Sequence, residues 1–478
     1  MQARADAETK SAKEVAGRSA LLCPLGLVLP SFRDPAGSVT IQPDCVLRFL
    51  NERGASELDA FLKLKSETLQ AFASSIVETR PAGAGGAVEH PKVWFPSYPY
   101  EWPAEMLYAA AELTLNLATR LSNEGWGLKD ATPYNILFEG PRPVFVDVCS
   151  FERRSPEDAL WRAYGQFVRT FLNPLIAHCT LGWPMDALLF NSRDGIEAEQ
   201  LYRWTPWLRR WFSPSVLTVT LPALLARRAG RIQAAGPQRR LDGEQALWVF
   251  TRLLKGLQRK LEAARPRAES ESRWTGYMQT CTYSPAQFEF KSKFVADAMI
   301  GIQPRRTLDV GCNTGHFSKM AADAGSRVIA IDRDPALVGA LSKEAAELNL
   351  DIQPLIVDFA RPTPATGWRN SECASFLERA ENAFDLVLLL GTLHHLTVTD
   401  RVPMLEVVNQ AAAVASHAII EYVGPEDSMF RLLSRGNEQL YGDYTVEAFE
   451  QACEKRFKIV CSAQVPESHR RLYWLRRR

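Results

Sequence analysis

The run Thr307-Leu308-Asp309-Val310-Gly311-Cys312-Asn313-Thr314-Gly315-His316 restricts this chain more than any other stretch. An apolar lead-in enters a turn with two glycines, and an amphipathic segment follows. Val328-Ile329-Ala330-Ile331 then ends in Asp332, about twenty residues after the first glycine, the spacing of a nucleoside-binding βαβ unit. Glycine lets backbone approach a ligand there, and the acid accepts from ribose hydroxyls. A dinucleotide loop needs a third glycine so that a pyrophosphate can rest on the helix N-terminus. Here His316 holds that position, and Asn313 sits in the middle, where asparagine tolerates a left-handed backbone. The loop turns tightly but suits a diphosphate poorly. S-adenosylmethionine, which has an adenosine, a sulfonium and an amino-acid end but no phosphate, fits it better. Asp309 is placed to attract the positive charge of that ligand, directly or through water.

With these residues in view, the segment resembles the first motif of class I S-adenosylmethionine-dependent methyltransferases. Later segments match in the same order. Asp332, with Arg333 beside it, matches the ribose-binding acid, and Asp358 in Leu355-Ile356-Val357-Asp358-Phe359 matches the acid facing the adenine amino group. Phe384 to Leu390 matches strand four, running into Gly391-Thr392-Leu393-His394-His395-Leu396, the loop beneath the transferable methyl. The resemblance covers residues 274 to 478. It implies a Rossmann-like, doubly wound seven-stranded sheet with an antiparallel last strand, and a cofactor cradle of Asp309, Gly311, Cys312, Asn313, Gly315, Asp332, Arg333, Asp358 and Gly391. Tyr283 and Lys291 precede the first motif, where such enzymes fold a segment over the cofactor, although a lysine there is more often a surface charge.

The elements between the motifs are consistent with that sheet. A helix is expected over Phe317–Ala324 with Gly325 as its stop, and another from Pro335 with Asp334 as its N-cap. Val402–Ala415 reads as a helix and Ala418–Val423 as a strand, while Phe457–Cys461 and Arg471–Leu475 suit a closing hairpin. Alternation of this kind gives a mostly parallel sheet covered on both faces.

Upstream, residues 1–150 read as an α+β region, with strand-like pieces, a loop at Arg80–Gly86 and a long helix near Pro103–Leu121. Residues 151–265 read as helical, with Trp161, Trp204, Trp207 and Trp211, and Arg265–Ser272 as a linker. Within the first region, Asp130, Asn135 and, after the next strand-like run, Asp147 resemble the catalytic and metal-holding loop of protein-kinase-like phosphotransferases. In that family the first Asp orients an acceptor hydroxyl, while the Asn and the second Asp hold magnesium at phosphates. No Gly-rich phosphate loop with a strand lysine precedes the loop, so a degenerate kinase-like lobe is expected. Taken with Ser97-Tyr98-Pro99-Tyr100-Glu101-Trp102 and Ser150-Phe151-Glu152, the whole chain resembles a bacterial family of two-part methyltransferases. That family includes rhizobial nodulation enzymes and proteins associated with surface-polysaccharide synthesis.

Composition narrows the remaining choices. A formal net charge of +1 over 478 residues exerts no global pull on nucleic acid. Nine cysteines without a Cys-x-x-Cys pair suggest reduced thiols, no metal site and a cytoplasmic setting. The apolar run Leu21–Leu29 is interrupted by Pro24 and too short to span a bilayer. Arginines at 227–228, 239–240 and 476–478 read as solvated faces or a loose tail.

Function follows from what methyl transfer asks of a protein. An acceptor hydroxyl must be aligned and its proton removed, a task suited to histidine near neutral pH. His394 and His395 are the candidates, and Glu421 at the end of strand five is placed to orient the acceptor, a small molecule or glycan precursor. Two alternatives stay open: a cofactor-binding regulatory protein with an inert kinase-like lobe, and a phosphotransferase.

Overall fold

The computed structural model describes residues 36–64, 67–82, 86–212, 219–220, 242–267 and 283–478. The arginine pairs at 227–228 and 239–240, and most of the expected linker, lie outside the described residues.

The chain separates into two compact units. The smaller, formed from residues up to Ser56 and from Glu78–Lys92, contains a four-stranded antiparallel sheet. Its strands are β1 (Gly37–Ile41), β2 (Cys45–Leu50), β3 (Arg80–Pro81) and β4 (Ala87–Pro91), in the order β1-β2-β4-β3. Arg80 and Pro81, expected to open a loop, instead pair with Glu89 and Val88. Proline is tolerated at such an edge because its missing donor points away from the ladder.

The larger unit comprises Glu57–Val77 and Val93–Arg478. Its first half is built on the helix Ala104–Ser122, which buries Met106, Leu107, Ala110, Leu113 and Leu117 at helical spacing as expected. The helix Gly243–Ala263 packs beside it, with Tyr108 donating to Glu262 at 2.8 Å. Two short antiparallel pairs flank this core. β5 (Trp126–Leu128) pairs with β8 (Phe151–Arg153), and β6 (Ile136–Glu139) with β7 (Arg142–Phe145). Short helices dominate the described part of 151–265, and Trp161 is buried with its indole N–H on the Leu128 carbonyl at 2.8 Å.

The second half is a seven-stranded sheet in the order β11-β10-β9-β12-β13-β15-β14. Its strands are β9 (Arg306–Val310), β10 (Arg327–Asp332), β11 (Ile352–Ile356), β12 (Phe384–Leu389), β13 (Ala415–Val423), β14 (Phe457–Gln464) and β15 (Arg470–Arg477). The first five run parallel, and β15 is antiparallel to both its neighbours. β9, β10 and β12 are buried on both faces and read as near-continuous apolar runs, as central parallel strands must. Strand order reverses between β9 and β12, and at that switch point the carboxyl ends of neighbouring strands diverge to leave a crevice.

Local signals placed the helices well. The helix Pro335–Leu348 starts at an Asp334 cap whose carboxylate accepts from Ala336 at 3.0 Å. The helix before β9 spans Pro285–Ile302 and opens on a Ser284/Gln287 capping box, a start the sequence reading did not single out. Of the two readings of the terminal arginines, a solvated face fits their exposure and a loose tail does not. Arg476 and Arg477 belong to β15, and Arg477 donates to Asn382 at 2.7 Å and to the Ala412 carbonyl at 2.8 Å. No described helix is long and apolar enough to cross a membrane.

Candidate functional site

A cavity opens at the switch point, walled by the β9, β10, β11 and β12 loops and closed by Tyr283, Phe288 and Lys291 from the chain before β9. The two glycines have distinct duties. Gly311 has φ +72°, and a Cβ there would stand 3.0 Å from the Thr392 hydroxyl, which donates to the Val310 carbonyl at 2.9 Å. The first and fourth strand loops are thus sewn together beneath the cavity. Gly315, at φ +75°, lies directly on the methyl groups of Leu341, so a side chain there would meet the helix Pro335–Leu348. Asn313 takes the left-handed conformation at φ +50°, and its side-chain oxygen accepts from Thr314 at 2.7 Å.

Asp332 and Asp358 both line the cavity. The Asp332 carboxylate accepts from the backbone N–H of Asn313 and of Asp334, each at 3.0 Å. Burial raises its pKa, and these backbone hydrogen bonds oppose the rise. Asp358 accepts from Ala360 at 2.9 Å and from Arg361 at 3.0 Å, and Arg361 reaches on to Asp400 at 2.9 Å. Gly311, Cys312, Asn313, Arg333 and Gly391 also line the wall. Burial pushes the Cys312 thiol pKa well up, which suits a wall residue and not a nucleophile.

Four expected residues sit off the wall, the first being Gly315, which packs on Leu341. Asp309 stands behind the wall. Its carboxylate accepts from Ser318 at 2.6 Å, and burial raises its pKa to about 6. Its strand position turns the side chain toward the helix His316–Asp323 instead of the cavity. Glu421 is also behind the wall and fully buried. It accepts from Lys291 at 2.7 Å, and Arg470 lies 3.5 Å from its other oxygen. Burial raises the Glu421 pKa to about 7 against the pull of Arg470. Of the histidines, His395 faces the cavity and His394 does not. His394 is fully buried, and neither ring nitrogen has a hydrogen-bond partner among the described residues. Desolvation lowers both imidazoles, His395 to about 4, with the charge of Arg333 adding to the effect. Both rings are therefore neutral at neutral pH.

Lys291, for which a surface role was expected, is 5% exposed and lies between the Tyr283 and Phe317 rings at 5.0 and 5.1 Å. Arg470, missed entirely, stacks its guanidinium 4.4 Å from Tyr283 and pairs with Asp427 at 2.8 Å. Both cations line the cavity. No sequence signal marks Arg470, because it arrives from β15, a strand inserted beside β13 long after the motifs have ended.

The second constellation is only partly assembled. Asn135 donates to the Ser150 hydroxyl at 3.1 Å, and that hydroxyl donates to Asp147 at 2.6 Å. One serine thus joins the two side chains expected to hold magnesium. Among the described residues no three His, Cys, Asp or Glu side chains group as metal ligands.

Comparison with known proteins extends these observations. Residues 308–415 match the family model described as a methyltransferase domain. The nodulation protein NoeA of Rhizobium meliloti (strain 1021) is 30% identical over 466 residues, covering 95% of this chain and 96% of that protein. Among solved structures, the N-methyltransferase NodS of Bradyrhizobium japonicum WM9, in complex with S-adenosyl-L-homocysteine, is 16% identical over 41% of this chain and 90% of its own, with a TM-score of 0.31. The bifunctional kinase-methyltransferase WbdD is 16% identical over 44% of this chain and 43% of its own, with a TM-score of 0.31.

Proposed function

The chain belongs to the family of the nodulation protein NoeA and is an S-adenosylmethionine-dependent methyltransferase, and from that premise we propose that it methylates a hydroxyl oxygen of a small molecule or glycan precursor. The observation that carries the reading is the placement of His395. Of the two histidines on the cavity wall, His316 and His395, it is the one in the loop that leaves β12, which the resemblance places beneath the transferable methyl.

The cavity suits the cofactor on chemical grounds. At one end Asp332 and Asp358 offer carboxylate oxygens to a ribose and an adenine amino group. At the other end Lys291 and Arg470 offer positive charge to a carboxylate, with Glu421 and Asp427 holding them in place. Between the two ends, Gly311 and Gly391 put bare backbone on the cavity wall. When bound, S-adenosylmethionine supplies a methyl group already activated by the sulfonium.

The protein's part is alignment, exclusion of water and handling of one proton. His395 takes the acceptor proton. Its pKa near 4 leaves it unprotonated across the neutral range, so the base is always available, although a weak one. His394 has no acceptor contact in this reading and supports its neighbour, the rings lying 4.3 Å apart. The N-terminal constellation keeps the form of a kinase-like loop but serves as a structural tie through Ser150.

The test incubates the protein with methyl-labelled cofactor and fractionated bacterial extract and identifies the labelled product. A product methylated on nitrogen or carbon would remove the oxygen reading. Labelling that persists undiminished in His395→Ala would remove the base.

A further inference from the structure

The loop that follows β11 carries Asp358 into the cavity and then leaves the methyltransferase sheet. From Thr363 onward it is held by a segment more than two hundred residues earlier in the chain, with separations of 262 for Thr363–Glu101 and 266 for Thr366–Tyr100. Glu101 is fully buried, and one of its oxygens accepts from both the Thr363 hydroxyl and the Arg379 guanidinium. Its second oxygen accepts from its own segment, the Tyr98 N–H, at 3.1 Å. Arg379 in turn donates to the Pro96 carbonyl at 2.7 Å and lies over the Phe95, Tyr98 and Phe376 rings. Ser97 accepts from Gln353 of β11 at 2.7 Å, so the same segment also covers the edge strand from which the loop springs.

A second contact backs the other adenosine-side loop. The helix Pro335–Leu348, which begins just after Asp332 and Arg333, approaches the helix Ala104–Ser122 so closely that a Cβ on Gly339 would stand 3.0 Å from the Glu105 carboxylate carbon. Asp332 and Asp358 therefore both sit on loops buttressed from the N-terminal half. The methionine side, formed by Tyr283, Lys291 and Arg470, is built from the C-terminal half alone.

We propose that Glu101 is a positioning residue for the cofactor site: through Thr363 it sets the conformation of the loop Asp358–Thr363 and thereby the affinity for the adenosyl group. The carboxylate is fully buried and accepts from three donors, Thr363, Arg379 and Tyr98, so its loss frees Thr363. Between Thr363 and Asp358 the ties include Ala360 and Arg361 on Asp358, with Arg361 also paired to Asp400 at 2.9 Å. The N-terminal half thus serves as part of the cofactor-binding frame, a role independent of any phosphoryl chemistry at Asp130, Asn135 and Asp147.

The proposal rests on the adenosine assignment made above, and the experiment keeps the two apart. Full-length Glu101→Gln and the milder Thr363→Val are compared with the parent for S-adenosylhomocysteine binding by calorimetry, for amide exchange over Asp358–Thr363, and for kcat at saturating cofactor. Glu101→Gln should raise the Kd about tenfold and Thr363→Val about threefold, with faster loop exchange and a kcat that changes far less than the Kd. If Glu101→Gln does not fold, Thr363→Val alone decides. In folded variants, an unchanged Kd or an unchanged loop exchange overturns the proposal. Asp358→Ala with unaltered Kd would count against the adenine assignment, while leaving the Glu101 and Thr363 results readable.

Discussion

In the proposed reaction, the chemistry concentrates on His395. An unperturbed histidine would give an acid limb near pH 6.5, but burial and the Arg333 charge move this one to about 4. The prediction is a pH–kcat profile that stays flat from neutrality down to about pH 5, and then falls. His395→Ala should lower kcat by about 10²–10⁴-fold with S-adenosylhomocysteine affinity nearly unchanged. His394→Ala should cost less turnover and more stability, since it empties a fully buried site. Asp309 makes a different prediction. Its folded pKa, raised from 3.8 to about 6, means the folded state binds the proton more tightly than the unfolded chain does. The resulting stabilisation is fully present below pH 3.8 and lost as pH rises through about 6. Thermal midpoints of Asp309→Asn measured across that window should lack this decline. Asp332 and Asp358 were visible in the sequence because each ends an apolar strand at a set distance from Gly311. Whether Asp309, His394 and Glu421 face the cavity or stand behind it was not visible, since one step along a strand or helix turns a side chain away.

The strands and helices themselves were largely readable, because the forces that form them are local. Asp334 caps, Pro335 opens a helix, and Asn313 and Gly315 occupy the left-handed positions the loop requires. Boundaries moved by a residue or a few: the helix after the loop is His316–Asp323, and the fifth parallel strand starts at Ala415. The loop argument yields a prediction at Gly315. Alanine there must take a left-handed backbone at about 1–2 kcal/mol and also press on Leu341, so Gly315→Ala should lower both thermal stability and cofactor affinity. Spacing alone does not fix a role for Asp130, Asn135 and Asp147. Three polar residues at a suggestive interval can be drawn together for packing alone, and here Ser150 joins two of them. Magnesium and ATP titrated together should give no heat, and Asp147→Ala should leave methyl transfer intact if the helices around it still fold.

At the largest scale, the sheet and its helices were implied by alternation of strand and helix patterns, whereas the joining of the two halves was not. Phe95, Tyr100 and Trp102 are fully buried, and their segment carries an apolar and aromatic composition that reads simply as core. That this core belongs to the edge of a sheet built two hundred and fifty residues later, about the separation of Gln353 from Ser97, is a long-range fact. The same holds for Arg470, whose β15 inserts next to β13. Spacing along the chain is a local quantity, so sequence alone was sufficient for the cofactor, the parallel sheet and the presence of Asp332 and Asp358 on the cavity wall. Which charges face the ligand, which are buried in neutral pairs, and which half of the chain props each loop depend on contacts between segments remote in sequence. Those contacts exist only once apolar surfaces have been removed from water and the polar groups trapped beneath them have found partners.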